Sequence, residues 1–401
     1  MTKQLLITAS ILFFIIVSTI VVILYGMGYR FGFTNGKPDI SGTGLLVATS
    51  IPDGAQVHIN GHLTTATNNT LNLFPGTYEV KIFKEGYFAW QKTIVVQKEV
   101  VSKADALLYP TAPKLESITP LGILHPSLDP SQSRIGYAIA SQSARKNGVY
   151  ILDMSSRPVL TLQSSSTQIV DDTVDTFSQS TLRWSPDGKQ LLATVTSETR
   201  TPAIYLLDAA GFNPNPQDVT ATVAQIESTW EKEKMEKEKA RIDGLKKTLK
   251  DFIGQNFTIL AWSPDETKLL YEASQSATLP LIITPPLLGT NSTPEDRTLK
   301  KGETYVYDIK EDKNFKMNVP QKDERKGNVS ISWFPDSRHL IYVHDKRIDI
   351  VEYDGINATT VYAGPFDDAF VSPWSNSTKL VILTNLGNPN IASNLYTVGL
   401  K

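Results

Sequence analysis

Histidine, aspartate and glutamate are the residues through which this chain could do acid–base or metal chemistry, because it contains no cysteine. That absence removes disulfides, thiolate nucleophiles and cysteine-based zinc sites. The five histidines are His58, His62, His125, His339 and His344. None stands in an H-E-x-x-H or similar ligand spacing. His58 and His62 flank Asn60-Gly61, a tight-hairpin signal, and a structural or exposed role is expected for both. Asp171, Asp172 and Asp175 form one acidic loop, and Asp367 with Asp368 another. Calcium takes such oxygen ligands, but neither group has calcium-loop spacing, so both read as solvated loops. There is no G-x-S-x-G elbow and no G-x-x-x-x-G-K-[ST] loop, so the hydrolase and nucleotide chemistries that use them are not matched. No residue is assigned a catalytic, cofactor or metal role, and no cofactor is expected.

Three further aspartates sit at equal positions of a repeat. Its copies are Trp184-Ser185-Pro186-Asp187-Gly188, Trp262-Ser263-Pro264-Asp265-Glu266 and Trp333-Phe334-Pro335-Asp336-Ser337, each followed by an apolar run. Degenerate copies lie at Leu128–Ile135 and Val371–Leu380. Such periodicity argues for turn chemistry. Proline presets φ for a tight turn, and Asp and Gly suit the remaining positions. The large Trp ring ends one strand and can fill the space between neighbouring sheets. Strand, turn, strand and a further strand such as Thr304–Asp308 is how a propeller blade reads.

The motif resembles the TolB-type propeller repeats. Five copies imply about five blades, with six as the alternative, because two of the spacings exceed the roughly 40–45 residues of a blade. The last blade lacks an outer strand, which Leu115–Ile118 could supply to close the ring. Propellers host unrelated activities, so the resemblance implies fold and not function.

The first long spacing holds WEKEKMEKEKARIDGLKKTLKDFIGQNF, with no proline. Ile242, Leu245, Leu249 and Phe252 step by three and four and make one apolar stripe. The segment reads as one helix, or two broken near Gly244. Its stripe either packs on the propeller or meets a partner. Loop length changes closure entropy only slowly, so removing 224–254 is expected to leave the propeller folded. The second long insertion, Ser274–Lys301, reads as a mobile loop.

These β elements follow a different kind of segment. Leu5–Tyr25 is uncharged and apolar, and about 20 such residues span a bilayer as a helix. The run exceeds a signal peptide's apolar core and has no A-x-A-like cleavage site, so an uncleaved anchor is expected. Its N-terminus is expected inside and the large domain outside. A Gly-rich connector follows, and then short alternating strands such as Tyr78, Val80 and Ile82.

The residues Ser50-Ile51-Pro52-Asp53-Gly54-Ala55, Val57–Gly61, Leu73–Tyr78 and Gly86-Tyr87 resemble the PEGA domain family. The family's tetrapeptide stands here as Pro52-Asp53-Gly54-Ala55, with Asp for Glu. The resemblance implies a β-sandwich of surface-attached bacterial and archaeal proteins, with no catalytic residues.

The expected organisation is mainly β. A tail and transmembrane anchor occupy 1–25 and a linker 26–43. A PEGA-like sandwich covers 44–97, a second linker 98–113, and a propeller 114–401 with a helical insertion at 224–254. The net charge is −2, which gives no reason to bind nucleic acid. The function expected is a non-enzymatic binding or scaffold protein of the cell envelope, recognising an envelope protein or cell-wall glycan. The alternative is a glycan lyase or hydrolase using the propeller funnel.

Overall fold

A computed structural model describes residues 2–26, 29–34, 37–155, 166–197, 200–320 and 329–401. The chain divides into two compact units. The first holds residues 1–108 with 283–295, and the second holds 109–282 with 296–401.

The first unit begins with α1 (Thr2–Gly26), which lies 0% buried over its most apolar window. By length and hydropathy it can cross a membrane. Three of its hydroxyls are satisfied within the helix: Thr8 Oγ1 donates to Gln4 O, and Ser18 Oγ and Thr19 Oγ1 both donate to Ile15 O. In lipid every polar group needs such an internal partner.

Most of the expected Gly-rich linker is ordered as a hairpin. Strand β1 (Tyr29–Thr34) pairs antiparallel with β2 (Lys37–Gly42). Asn35-Gly36, the turn signal between them in the sequence, lies outside the described residues, as do residues 27 and 28.

Seven strands then build a sandwich: β3 (Gly44–Ile51), β4 (Gln56–Ile59), β5 (His62–Ala66), β6 (Asn69–Leu73), β7 (Gly76–Phe83), β8 (Trp90–Val96) and β9 (Val101–Leu107). One sheet has the order β6-β3-β9, the other β5-β4-β7-β8. Asn60 and Gly61 both take positive φ, 50° and 81°, as a type I′ turn requires. The core joins Leu46 and Ala48 to Val57, Val80, Ile82, Trp90 and Ile94. The stretch 98–113, expected to be a linker, instead supplies β9, which pairs parallel with β3 from Leu45↔Val101 to Ile51↔Leu107. The segment 283–295, expected to be part of a mobile loop, also belongs here. Val95 N donates to Ser292 Oγ at 3.0 Å, and Gly289 N to Gln97 Oε1 at 3.3 Å. A Cβ on Gly289, at φ +68°, would lie 2.7 Å from Val100 Cγ1.

The second unit is a propeller of antiparallel four-stranded sheets, five of them among the described residues. Sheet one contains Leu124–Leu128, Arg134–Ile139, Gly148–Asp153 and Ser166–Asp171. Sheet two contains Thr181–Trp184, Gln190–Ser197, Arg200–Asp208 and Gln217–Asp218. Sheet three contains Phe257–Trp262, Lys268–Ala273, Thr304–Asp308 and Lys313–Lys316. Sheet four contains Ser330–Trp333, His339–His344, Arg347–Glu352 and Thr359–Ala363. Sheet five contains Val371–Pro373, Lys379–Thr384 and Asn394–Gly399, and its fourth strand is Leu115–Ser117. That strand pairs antiparallel with the last one, Leu115↔Val398 to Ser117↔Tyr396, so the two ends of the unit close the ring.

All five turn copies share one register. Leu128↔Ile135, Trp184↔Leu191, Trp262↔Leu269, Trp333↔Leu340 and Pro373↔Leu380 are equivalent pairs. The residues at the glycine position, Gln132, Gly188, Glu266, Ser337 and Ser377, all have φ between 56° and 71°. Only Gly188 faces a steric demand as well, since a Cβ there would lie 2.9 Å from an Arg134 nitrogen.

The long insertion is two helices, α2 (Val223–Asp243) and α3 (Lys247–Asn256), broken at Gly244. They stand between sheets two and three. Trp230 of α2 packs with Leu192 and Val219 of the sheet-two side, with Ile204, Leu206, Val223 and Ile226 around it. Leu249 and Ile253 of α3 pack with Leu269, Tyr271, Tyr305 and Tyr307 of sheet three. Elsewhere neighbouring sheets share a core directly, as Val149 and Ile151 of sheet one do with Trp184 and Leu191 of sheet two.

Candidate binding site

The repeat residues first show what the recurring acids do. Asp187 Oδ1 accepts from Ser185 Oγ at 2.7 Å and Lys189 N at 3.0 Å. Asp265 Oδ1 accepts from Ser263 Oγ, Thr267 N and Thr267 Oγ1 at 2.7, 3.1 and 2.8 Å. Asp336 Oδ1 accepts from Arg338 N and His339 N, and Oδ2 lies 2.6 Å from His339 Nδ1. Hydrogen bonds to the ionised form favour it. The backbone amide of Lys189, then the Ser185 hydroxyl, hold the Asp187 carboxyl down at about 2. Burial pushes Asp336 upward, but His339 and two amides outweigh it and hold its carboxyl below the usual range. Each aspartate staples its own turn, between a proline (Pro186, Pro264, Pro335) and the next strand.

The loop acids are engaged in the same way. Asp172 accepts from Ser178 N at 2.8 Å and Ser178 Oγ at 2.6 Å. Asp175 Oδ2 accepts from Tyr205 Oη at 3.0 Å. His58 Nε2 lies 3.4 Å from Gln56 Oε1, and His344 Nε2 lies 2.7 Å from Asp349 Oδ2. Among the described residues no three His, Asp or Glu side chains form a group that could hold a metal ion.

The three tryptophans differ. The indole N–H of Trp184 donates to Ser127 O, and that of Trp333 to Ala261 O, each reaching the preceding sheet. By the shared register Trp262 would reach Arg183 O. It donates instead to Glu238 Oε1 of α2 at 2.8 Å and is only half-buried. The expectation that Trp262 is buried between two blades is therefore corrected: its neighbours are the helices.

The stripe Ile242, Leu245, Leu249 and Phe252 had two expected uses. Leu249 is 2% exposed, and Leu245 and Phe252 pack around it in the core of sheet three. Ile242 is half-buried. The propeller takes up this stripe, so it is not a free face for a partner.

A different face of α2 is open. Glu227, Trp230, Glu231, Lys234, Lys237 and Arg241 lie three, one, three, three and four residues apart, on one side of the helix. With Arg183, Trp184, Pro130 and Pro186 they line a cavity of about 550 Å³. Arg183 is held by Glu227 at 2.6 Å, and Arg241 by Glu266 at 2.7 Å and Glu238 at 3.7 Å. The guanidinium of Arg183 lies 5.8 Å from the Trp230 ring and that of Arg134 5.1 Å from the Trp184 ring, within cation–π range. Fixed cations beside indoles can recognise an anion and cover an apolar face. Of the ten lining residues, the sequence singled out only Trp184 and Pro186. A lone tryptophan in a charged helix, followed at four, seven and eleven residues by Lys234, Lys237 and Arg241, is the signal that could have found the rest.

Comparison with known proteins adds the following. No curated protein matches the chain. Similar solved structures include a TolB-like protein from Agrobacterium tumefaciens, 16% identical, covering 69% of this chain and 72% of its own, at a TM-score of 0.21. TolB from Acinetobacter baumannii is 13% identical, covering 81% and 60%, at 0.23. The Cps50 (Swd1) β-propeller domain of Myceliophteria thermophila is 11% identical, covering 71% and 73%, at 0.19. The propeller fold is carried by the five sheets and the closing strand rather than by these likenesses. Residues 43–111 match the family model described as PEGA domain, which spans the sandwich together with β9.

Proposed function

We propose that this protein is anchored in a cell membrane by α1, with its N-terminus inside, and works outside as a non-enzymatic binding or scaffold protein. Its propeller recognises an envelope protein or a cell-wall glycan. The observation that carries this reading is the cavity between α2 and sheet two, on a unit tethered behind an apolar, fully exposed helix. A glycan-cleaving enzyme needs two carboxylates free to act at one bond. In this cavity Glu227 is already paired with Arg183, which favours binding over hydrolysis.

Topology tests the envelope part. Protease added to intact spheroplasts should remove the propeller and spare a tag placed before Thr2. A protected propeller with a digested tag would invert the orientation and end the envelope reading.

A further inference from the structure

We propose that the cavity between α2 and sheet two binds an acidic saccharide unit, a sugar ring bearing one carboxylate or phosphate. This rests on the reading of the propeller as a binding module, and not on its membrane orientation.

Size comes first. Small-ligand pockets run to about 300–1,000 Å³, and this cavity holds about 550 Å³. A protein partner would bring a broad patch of about 800 Å². The cavity suits one or two sugar rings.

Charge comes next. Arg183 and Arg241 already have carboxylate partners. Lys234 and Lys237 line the cavity and take no ion pair among the described residues. Like charges one turn apart on a helix repel, and an anion set between them relieves that repulsion. Of the two acids lining the cavity, Glu227 is held by Arg183, and Glu231 takes no ion pair among the described residues. An ionised carboxylate only accepts hydrogen bonds. A ligand that satisfies all three groups therefore carries an anion beside hydroxyl donors, which a simple carboxylate ion does not and a sugar acid or sugar phosphate does. Trp184, Trp230, Pro130 and Pro186 contribute apolar lining, suited to the C–H face of a sugar.

Titration calorimetry on the full chain in detergent tests this with four probes: a glucuronyl-glucose disaccharide, glucose 6-phosphate, neutral cellobiose and an Asp-Asp dipeptide. At least one acidic sugar should bind about tenfold tighter than cellobiose, as one charge-assisted contact implies. The tighter of the two identifies the anion. Lys234→Gln with Lys237→Gln should abolish that preference. Lys232→Gln with Lys239→Gln, on the same helix but not lining the cavity, should keep it. All three proteins should give the same circular dichroism. Equal affinity for cellobiose, no binding of either acidic sugar, or unchanged binding by the Lys234/Lys237 variant overturns the proposal. Tighter binding of the dipeptide overturns it in favour of an acidic protein segment. Sugar binding that persists while the spheroplast test fails would overturn the topology alone.

Discussion

Removing α2 and α3 should unfold the propeller: the packing of Trp230, Leu249 and Ile253 reverses the expectation, drawn from loop length alone, that the propeller survives loss of its helical insertion. The perturbation is replacement of residues 223–256 by a short Gly/Ser linker. Closure entropy alone favours the change: shortening a loop of roughly thirty residues to six recovers about 1.5 kcal/mol. Burial opposes it. Trp230, Leu249 and Ile253 are 9%, 2% and 2% exposed. Burying a large apolar side chain is worth about 1.5–3 kcal/mol, so these three amount to about 5–9 kcal/mol. Their loss also uncovers the sheet residues beneath, among them Leu192, Leu269 and Tyr271. The net loss approaches the whole stability of a typical domain, about 5–15 kcal/mol.

The assay is the near-ultraviolet circular dichroism melt of the full chain in detergent, with a urea titration. The deletion variant should lose its cooperative tertiary transition. Leu249→Ala, a milder probe of the same contact, should fold and lose about 2–5 kcal/mol. A deletion variant that melts like the parent, with the same urea dependence, would refute the wedge. The helices would then be an ornament on a ring that packs without them.

Trp333→Ala should cost about 3–5 kcal/mol, because Trp333 is 2% exposed between Leu270 and Val306 of one sheet and Leu340 and Tyr342 of the next. Urea midpoints should show a smaller loss for half-buried Trp262→Ala. The closing strand should weaken in acid. Hydrogen bonds from Lys114 and then Lys379 hold the Glu116 carboxyl down at about 2. A depressed carboxylate stabilises the fold above its ordinary value near 4.5 and loses that contribution as pH falls through about 2. Glu116→Gln should therefore differ from the parent at pH 7 and converge on it between pH 4.5 and 2. Because the pair is partly exposed, molar salt should shrink the difference.

The strand–turn–strand units were legible because their turns have strict chemical demands. Pro186, Pro264 and Pro335 set φ, the aspartates staple the next amides, and a left-handed residue follows. Asn60-Gly61 was legible for the same reason. Strand β9 was not. Its inward positions are Ser102, Ala104 and Ala106, too small or too polar to raise an alternating hydrophobic signal, although all three are buried in the sandwich. The segment 283–295 is not legible because its contacts are hydrogen bonds between backbone amides and side chains almost two hundred residues apart in sequence, which local composition does not encode.

The helical insertion shows where hydrophobic periodicity stops being informative. In α3 the outward residues are polar and the inward ones apolar, so Leu249 and Phe252 announce their face. In α2 every side carries charge. Lys232, Glu233, Glu236 and Lys239 do not line the cavity, yet they are as fully charged as Lys234, Lys237, Glu231 and Arg241, which do. A scale that scores only hydrophobicity cannot separate these two sides. What separates them is the wall opposite: Arg183 claims Glu227, Glu266 claims Arg241, and Trp262 claims Glu238. Those partners come from two different sheets, so the face exists only once sheets two and three have both packed against the helices. Lys234 and Lys237 stand out because the fold pairs Arg183, Glu227 and Arg241 beside them and leaves these two, with Glu231, facing a cavity.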